Sequence, residues 1–370
     1  MNGLPEKIRR SVEKLVGEMR IRENIYGIGL FGSWSRGDAA TSSDVDLMIL
    51  DKGDFNTEYV ERMLLNGLFI DLDHVPKRWL SGPIPQEIDQ KLYEMQILYD
   101  RDWSLHNMKL LMAKSYASPE RIDIRTEAHI VDSDIYLSRA TSAFSREDFR
   151  SAHLFSTSAI ENILKVLVEI ALEPFSNSRF LEKLEASASK LGMPSLFNEY
   201  LEITELRKAD DAIVKEKVRL FKVIWDEMKA TVTHNLKALE SSHFKVRTKL
   251  NYYLNPAFLQ GMILRTSSLI ELGRVAEASR YLNIIFLDVV ENYAWVKSSI
   301  DKVKIDYTTL MRSLESLEEK NPKNYSCIIK LMDISDVAKH DTSDVIDKTR
   351  EMMLKIRRQR KILIKNYLLG

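Results

Sequence analysis

The period of apolar and polar positions changes once along this chain of 370 residues. Up to about residue 100, short apolar runs rich in β-branched residues predict strands over "IYGIGLF", "VDLMIL", "LFIDLDHV" and "QILYD". Two stretches in the same region have helical period instead: residues 6 to 19, and "TEYVERMLLNG" between the second and third strands. Beyond residue 100 apolar residues recur three and four apart almost throughout, with breaks at "EPFSNS", "LGMPS", "YYLNP" and "EKNPKN". The expected architecture is α+β: an N-terminal mixed sheet with helices over residues 1–104, then all-α bundles over 105–245 and 250–370.

The helical part carries an internal match. "SRATSAFSREDFRSAHLF" (138–155) aligns without a gap on "LRTSSLIELGRVAEASRY" (264–281), setting Arg139 over Arg265 and Ala152 over Ala278. A second pair, "RKADDAIVKEKVRLFKVI" (207–224) and "AKHDTSDVIDKTREMMLK" (338–355), follows at a slightly larger offset. Shared helical period alone can produce such matches, but two in the same order favour a duplicated bundle.

Composition narrows the function classes. With 54 Lys+Arg against 54 Asp+Glu the chain has no net charge to draw it to nucleic acid or an anionic membrane, so such contacts would need a local patch. A single cysteine, Cys327, excludes an internal disulfide framework and a cysteine-rich zinc site. The charged N-terminus and the lack of an apolar run of about 18 residues predict neither a signal peptide nor a membrane span, which makes a cytoplasmic protein the expectation.

The candidate chemistry lies in "GLFGSWSRGDAATSSDVDLMIL", residues 29–50. A strand alternates its faces, so Asp44 and Asp46 share one face while Val45 and Leu47 turn to the core. Two like charges that close repel unless a cation joins them, and hard divalent ions such as Mg²⁺ favour carboxylate oxygens together with substrate phosphates. The next strand offers a third carboxylate from Asp71 or Asp73, again on one face. Upstream, Gly32 and Ser33 sit where a strand turns into a short helix, so backbone N–H groups and a hydroxyl could hold a phosphate.

Phe31-Gly32-Ser33, ten residues, Asp44-Val45-Asp46-Leu47 and then Ile70-Asp71 resembles the nucleotidyltransferase superfamily of DNA polymerase β, and within it the minimal and kanamycin-type nucleotidyltransferases. Arg36, Gly37 and Ser43 extend the match. "REDFRSAHLFSTSAIENILKVLVEIA" is similar to the HEPN-like or substrate-binding helical bundle that often follows such domains. The resemblance implies a Mg²⁺-dependent transferase that binds NTP, ATP by preference, and moves its nucleoside monophosphate to an acceptor hydroxyl with release of pyrophosphate. Asp44, Asp46 and Asp71 would be the catalytic metal ligands for two Mg²⁺ ions, or Mn²⁺ in their place, with Asp73 as the alternative to Asp71. Gly32, Ser33, Arg36 and Ser43 would bind the nucleotide. The acceptor stays open between a small molecule, a protein and an RNA end, and the bundles could also pair two copies of the chain.

Other motifs carry a plainer reading beside the functional one. Glu161 is a candidate base from the helical part, since its repeat partner is Leu287, but it fits a bundle-packing residue better. Arg146 and His153 approach the spacing of HEPN ribonucleases and read as a helix face. The basic run "LKIRRQRKILIK" (354–365) reads as a solvated face suited to a helix C-terminus. A weakly catalytic module that keeps the fold for nucleotide binding and association is the second function expected.

Overall fold

A computed structural model describes residues 4–335 and 337–369. In chain order its elements are α1 (Glu6–Met19), β1 (Ile25–Phe31), α2 (Gly32–Arg36), β2 (Val45–Asp51), β3 (Tyr59–Leu65), β4 (Leu68–Pro76), α3 (Asp89–Glu94), β5 (Gln96–Asp100) and α4 (Ser104–Ser115). Helices follow to the end: α5 (Pro119–Ser145), α6 (Phe149–Ile170), α7 (Phe180–Lys190), α8 (Pro194–Ile203), α9 (Asp211–His234), α10 (Leu236–Glu240), α11 (Phe244–Tyr253), α12 (Pro256–Glu271), α13 (Val275–Asp301), α14 (Glu315–Lys320), α15 (Pro322–Leu331) and α16 (Lys339–Leu369). The fold is α+β, as the pattern predicts. Among the described residues no helix is long and apolar enough to cross a membrane.

The chain divides into two compact units, Met1–Ser118 with His243–Ser268, and Pro119–Ser242 with Leu269–Gly370. The first holds a five-stranded sheet in the order β3-β4-β2-β1-β5. Only β2 and β4 run parallel, and the other neighbours are antiparallel. Val45, Leu47 and Ile49 of β2 and Ile70 and Leu72 of β4 face one way and join Val12, Leu15 and Met19 of α1 in a core that excludes water. The apolar set of α1 recurs at helical spacing, so one stripe of the helix covers that face. Asp44 and Asp46 are thereby turned to the opposite face, as strand alternation requires.

One element corrects the sequence reading. "TEYVERMLLNG" is not a helix: Tyr59–Leu65 is strand β3, paired antiparallel with β4 from Leu65↔Leu68 to Tyr59↔His74. The deciding signal is Asn66-Gly67. Both residues have positive φ, 54° and 77°, the conformation of a two-residue hairpin turn whose twist matches that of its strands. Helix α11 packs on this strand, and Phe244 lies against Phe55 and Tyr59.

The helical unit is built by α5 and α6, with α16 packed on both, and by α9 with α13 and α15. This division differs from the expected separation into bundles 105–245 and 250–370. Residues 243–268 join the sheet, and the last helix shares a core with α6 through Met352, Met353 and Ile356. An amphipathic stripe states that a helix has a partner without stating which. The aligned segments do share a detail. Their helix-to-helix turns place Glu147 and Gly273, matched in the alignment, at left-handed φ of 63° and 71°. The basic run of α16 is engaged in part: Arg357 pairs with Asp134 of α5, and Arg360 with Asp123 at 3.0 Å and with Glu127.

Candidate functional site

The site grows from the first sheet unit. Parallel pairing of β2 with β4 sets Asp46 beside Asp71, and Asp44 precedes the first residue of β2 on the same face. One carboxylate oxygen from each of Asp44, Asp46 and Asp71 lies within 4.8 Å of the others. Asp73, two residues on, is buried and paired with Lys91 of α3, which also holds Glu58 at 2.6 Å. Lys91 therefore separates the two aspartates that sequence alone leaves as alternatives. His74 turns away from this face, its Nδ1 3.1 Å from Asp51 and its ring stacked on Tyr59.

Gly32 touches the cluster directly. Phe31 pairs with Asp46 across β1 and β2, and Gly32 follows with φ of 72°. A Cβ built on Gly32 would lie 2.3 Å from an Asp46 carboxylate oxygen. Only glycine allows that approach. The neighbouring groups already have partners. Gly32 N–H donates to Glu94 Oε1 at 2.7 Å, Arg36 donates to both Glu94 oxygens at 2.9 and 2.8 Å, and the Ser35 hydroxyl donates to the Glu94 carbonyl at 2.6 Å. Ser33 closes the turn through its carbonyl, which accepts from the N–H of Gly37 and Asp38. Ser43 accepts from Ala40 N–H at 2.9 Å and so fixes the loop ahead of Asp44.

Two arginines unseen in the sequence meet the carboxylates. Arg62 of β3 sits opposite Asp71, donating to one oxygen at 2.6 Å and the other at 2.7 Å, and also reaches Asp44. Arg265 of α12 donates to Asp44 at 2.5 Å, and the Tyr252 hydroxyl donates to Asp71 at 3.1 Å. Burial pushes the Asp44 carboxyl up, but the Arg265 and Arg62 charges outweigh it and hold it below its usual value. Asp71 ends raised, because burial outweighs Arg62. Asp46 is raised well above the ordinary range, by burial first and then by the Asp44 and Asp71 charges. Asp46 accepts no hydrogen bond from either guanidinium among the described residues.

A hairpin reading would have found Arg62, since pairing counted back from Asn66-Gly67 sets it opposite Asp71. Glu94, Tyr252 and Arg265 had no local signal.

The helical unit holds the remaining candidates. Glu161 is buried on α6 between Arg280, at 2.8 Å, and the Tyr200 hydroxyl, at 3.0 Å. Arg280 also pairs with Glu277 at 3.0 Å and lies over the Phe180 ring. All three groups of the Glu161 network line a cavity of about 690 Å³ that His153 also borders. Arg146 leaves the end of α5 and pairs with Asp306.

A glycine-led turn after one strand, paired carboxylates on the next and a third on its parallel neighbour thus come together within the first unit. Residues 7–132 match the family model described as a nucleotidyltransferase domain, so the N-terminal part of the chain carries such a domain. The chain is also similar to a solved nucleotidyltransferase-like protein from Exiguobacterium sibiricum 255-15. Identity is 13%, coverage 84% of this chain and 91% of that one, and the TM-score 0.32. No curated protein matches the chain.

Proposed function

We propose that this protein is a Mg²⁺-dependent nucleotidyltransferase that moves a nucleoside monophosphate from NTP, ATP by preference, to a hydroxyl on a small molecule, protein or RNA end. The observation that carries the reading is the convergence of Asp44, Asp46 and Asp71 beside Gly32, inside the residues that match the family model. The donor set suits a hard divalent ion: three clustered carboxylates, one of which, Asp46, accepts no guanidinium hydrogen bond among the described residues. Asp46 and Asp44 would hold Mg²⁺, and Asp71 completes the acidic face. When bound, the ion neutralises phosphate charge and orients the triphosphate for in-line attack.

The chain's own groups set the rest. Gly32 N–H and the Arg36 guanidinium point at one carboxylate, Glu94, and a phosphate that displaced it would find the same two donors. Arg265 can pass from Asp44 to a phosphate oxygen as the site fills. Asp71 orients Arg62 rather than taking a proton, since both of its oxygens accept hydrogen bonds. Ser33 and Ser43 keep the loop in place.

The test is Mg²⁺-dependent binding of labelled ATP and release of pyrophosphate, with Asp44→Asn and Asp46→Asn as controls. Both variants should lose the metal-dependent part, and unchanged binding in both would sink the assignment. A second reading, a nucleotide-binding or association module with little catalysis, draws support from Glu94 filling the donor pair of Gly32 and Arg36. It is distinguished by ATP binding without pyrophosphate release across a panel of acceptors.

A further inference from the structure

A two-ion site needs Asp71 as a ligand, and the hydrogen bonds around Asp71 commit it elsewhere. Its Oδ1 accepts from Arg62 Nε at 2.6 Å, and its Oδ2 accepts from a terminal Arg62 nitrogen at 2.7 Å and from the Tyr252 hydroxyl at 3.1 Å. The same terminal nitrogen reaches Asp44. One guanidinium thus joins two of the three carboxylates, the place of a cation shared between them.

Arg62 is built into that place. It comes from the β3–β4 ladder, where its position opposite Asp71 is fixed by the hairpin register. Its side chain is 3% exposed. The guanidinium lies 6.0, 5.4 and 5.7 Å from the ring centres of Phe69, Tyr252 and Phe258, which favours a retained cation. Helix α12 closes over it at Gly261, where a Cβ would stand 2.8 Å from a guanidinium nitrogen. Asn255 ties down the Arg62 carbonyl at 2.8 Å. Arg265 differs: it is 19% exposed and pairs with Asp44 at 2.5 Å.

Resting on the nucleotidyltransferase reading above, we infer that Arg62 is a permanent cation standing in for one of two divalent ions, so that the site takes a single ion on Asp46 and Asp44. Arg62 and Arg265 already bring two positive charges to the three carboxylates, so one divalent ion leaves a small positive excess for the nucleotide to offset, and a second ion would enlarge that excess. A guanidinium holds its own proton, so it supplies charge without acidifying a coordinated hydroxyl.

Mn²⁺ alone, titrated into the full chain and followed by electron paramagnetic resonance and calorimetry, tests this. The wild type should bind one Mn²⁺ with the hyperfine pattern of an isolated ion, and Asp46→Asn should lose at least ~10-fold in affinity. Arg62→Met should admit a second Mn²⁺. Since that variant can fail to fold, Asp71→Asn gives an independent reading, with the stoichiometry staying at one. Two Mn²⁺ in the wild type, with the coupled spectrum of ions roughly 3.5–4 Å apart, would overturn the role of Arg62 and leave the transferase reading intact. Loss of Mn²⁺ in Asp71→Asn would overturn it equally. No binding of Mn²⁺, with or without ATP, would remove both.

Discussion

Two glycines in the same short turn separate backbone strain from site geometry. Gly32 and Gly37 both have left-handed φ, 72° and 81°. An added methyl group costs roughly 1–2 kcal/mol in that conformation, which lowers the melting temperature by about 2–8 °C for a unit of this size. Alanine at position 37 meets nothing within 4 Å, so strain is the whole effect. Alanine at position 32 adds a collision. Its Cβ would start 2.3 Å from an Asp46 oxygen, against the 3.0 Å below which such contacts essentially never occur. Asp46 Cγ at 3.1 Å and Cβ at 3.4 Å leave little room to swing, so the carboxylate must leave its position. Disturbing a metal ligand's support typically costs 10–100-fold in affinity, on the order of what is expected for Gly32→Ala. Gly37→Ala should keep the wild-type value. Calorimetry and Mn²⁺ titration on both variants read strain and geometry separately. Equal Mn²⁺ affinity in the two would refute the claim that Gly32 is required by its approach to Asp46.

Glu161→Ala should destabilise the helical unit by about 3–5 kcal/mol, the cost of leaving the buried Arg280 short of a partner, while Glu161→Gln costs less and keeps Mn²⁺ binding. If Glu161→Gln instead abolished transfer with its melting temperature intact, Glu161 would be a base rather than a packing residue. The raised carboxyl of Asp46 predicts a pH effect in chelator. The folded chain keeps a proton that the unfolded chain releases, so stability present below the ordinary carboxylate value is lost as pH rises through the raised one. Asp46→Asn lacks that dependence, and the gap between its melting temperature and the wild type's should widen with pH; a constant gap would contradict the shift.

Much of the sheet unit could be read from residues alone. The bounds of α1, β1 and β5 follow from apolar spacing, and the shared face of Asp44 and Asp46 follows from strand alternation. The region around β3 could not be read by spacing, because "TEYVERMLL" satisfies a helical period about as well as a strand's. Its turn dipeptide held the answer, and with it the position of Arg62. The choice between Asp71 and Asp73 was undecided for another reason: both lie on one face, and their different partners, Arg62 for Asp71 and Lys91 for Asp73, come from other elements. Arg265 and Tyr252 lie some 200 residues from the carboxylates they touch, and no local pattern records so distant a return.

That return bears on how the protein is made. Residues 243–268 complete a unit whose other part ends at Ser118, so a chain emerging from the ribosome presents its carboxylates and Arg62 long before Tyr252, Phe258 and Gly261 exist to enclose them. At roughly 5–20 residues per second the interval is on the order of ten seconds. During it the sheet must stand on residues 1–118 alone, with β3 lacking the cover of α11. Synthesis order thus makes the nascent hairpin the exposed species, and a chaperone that guards this protein would have its opportunity there.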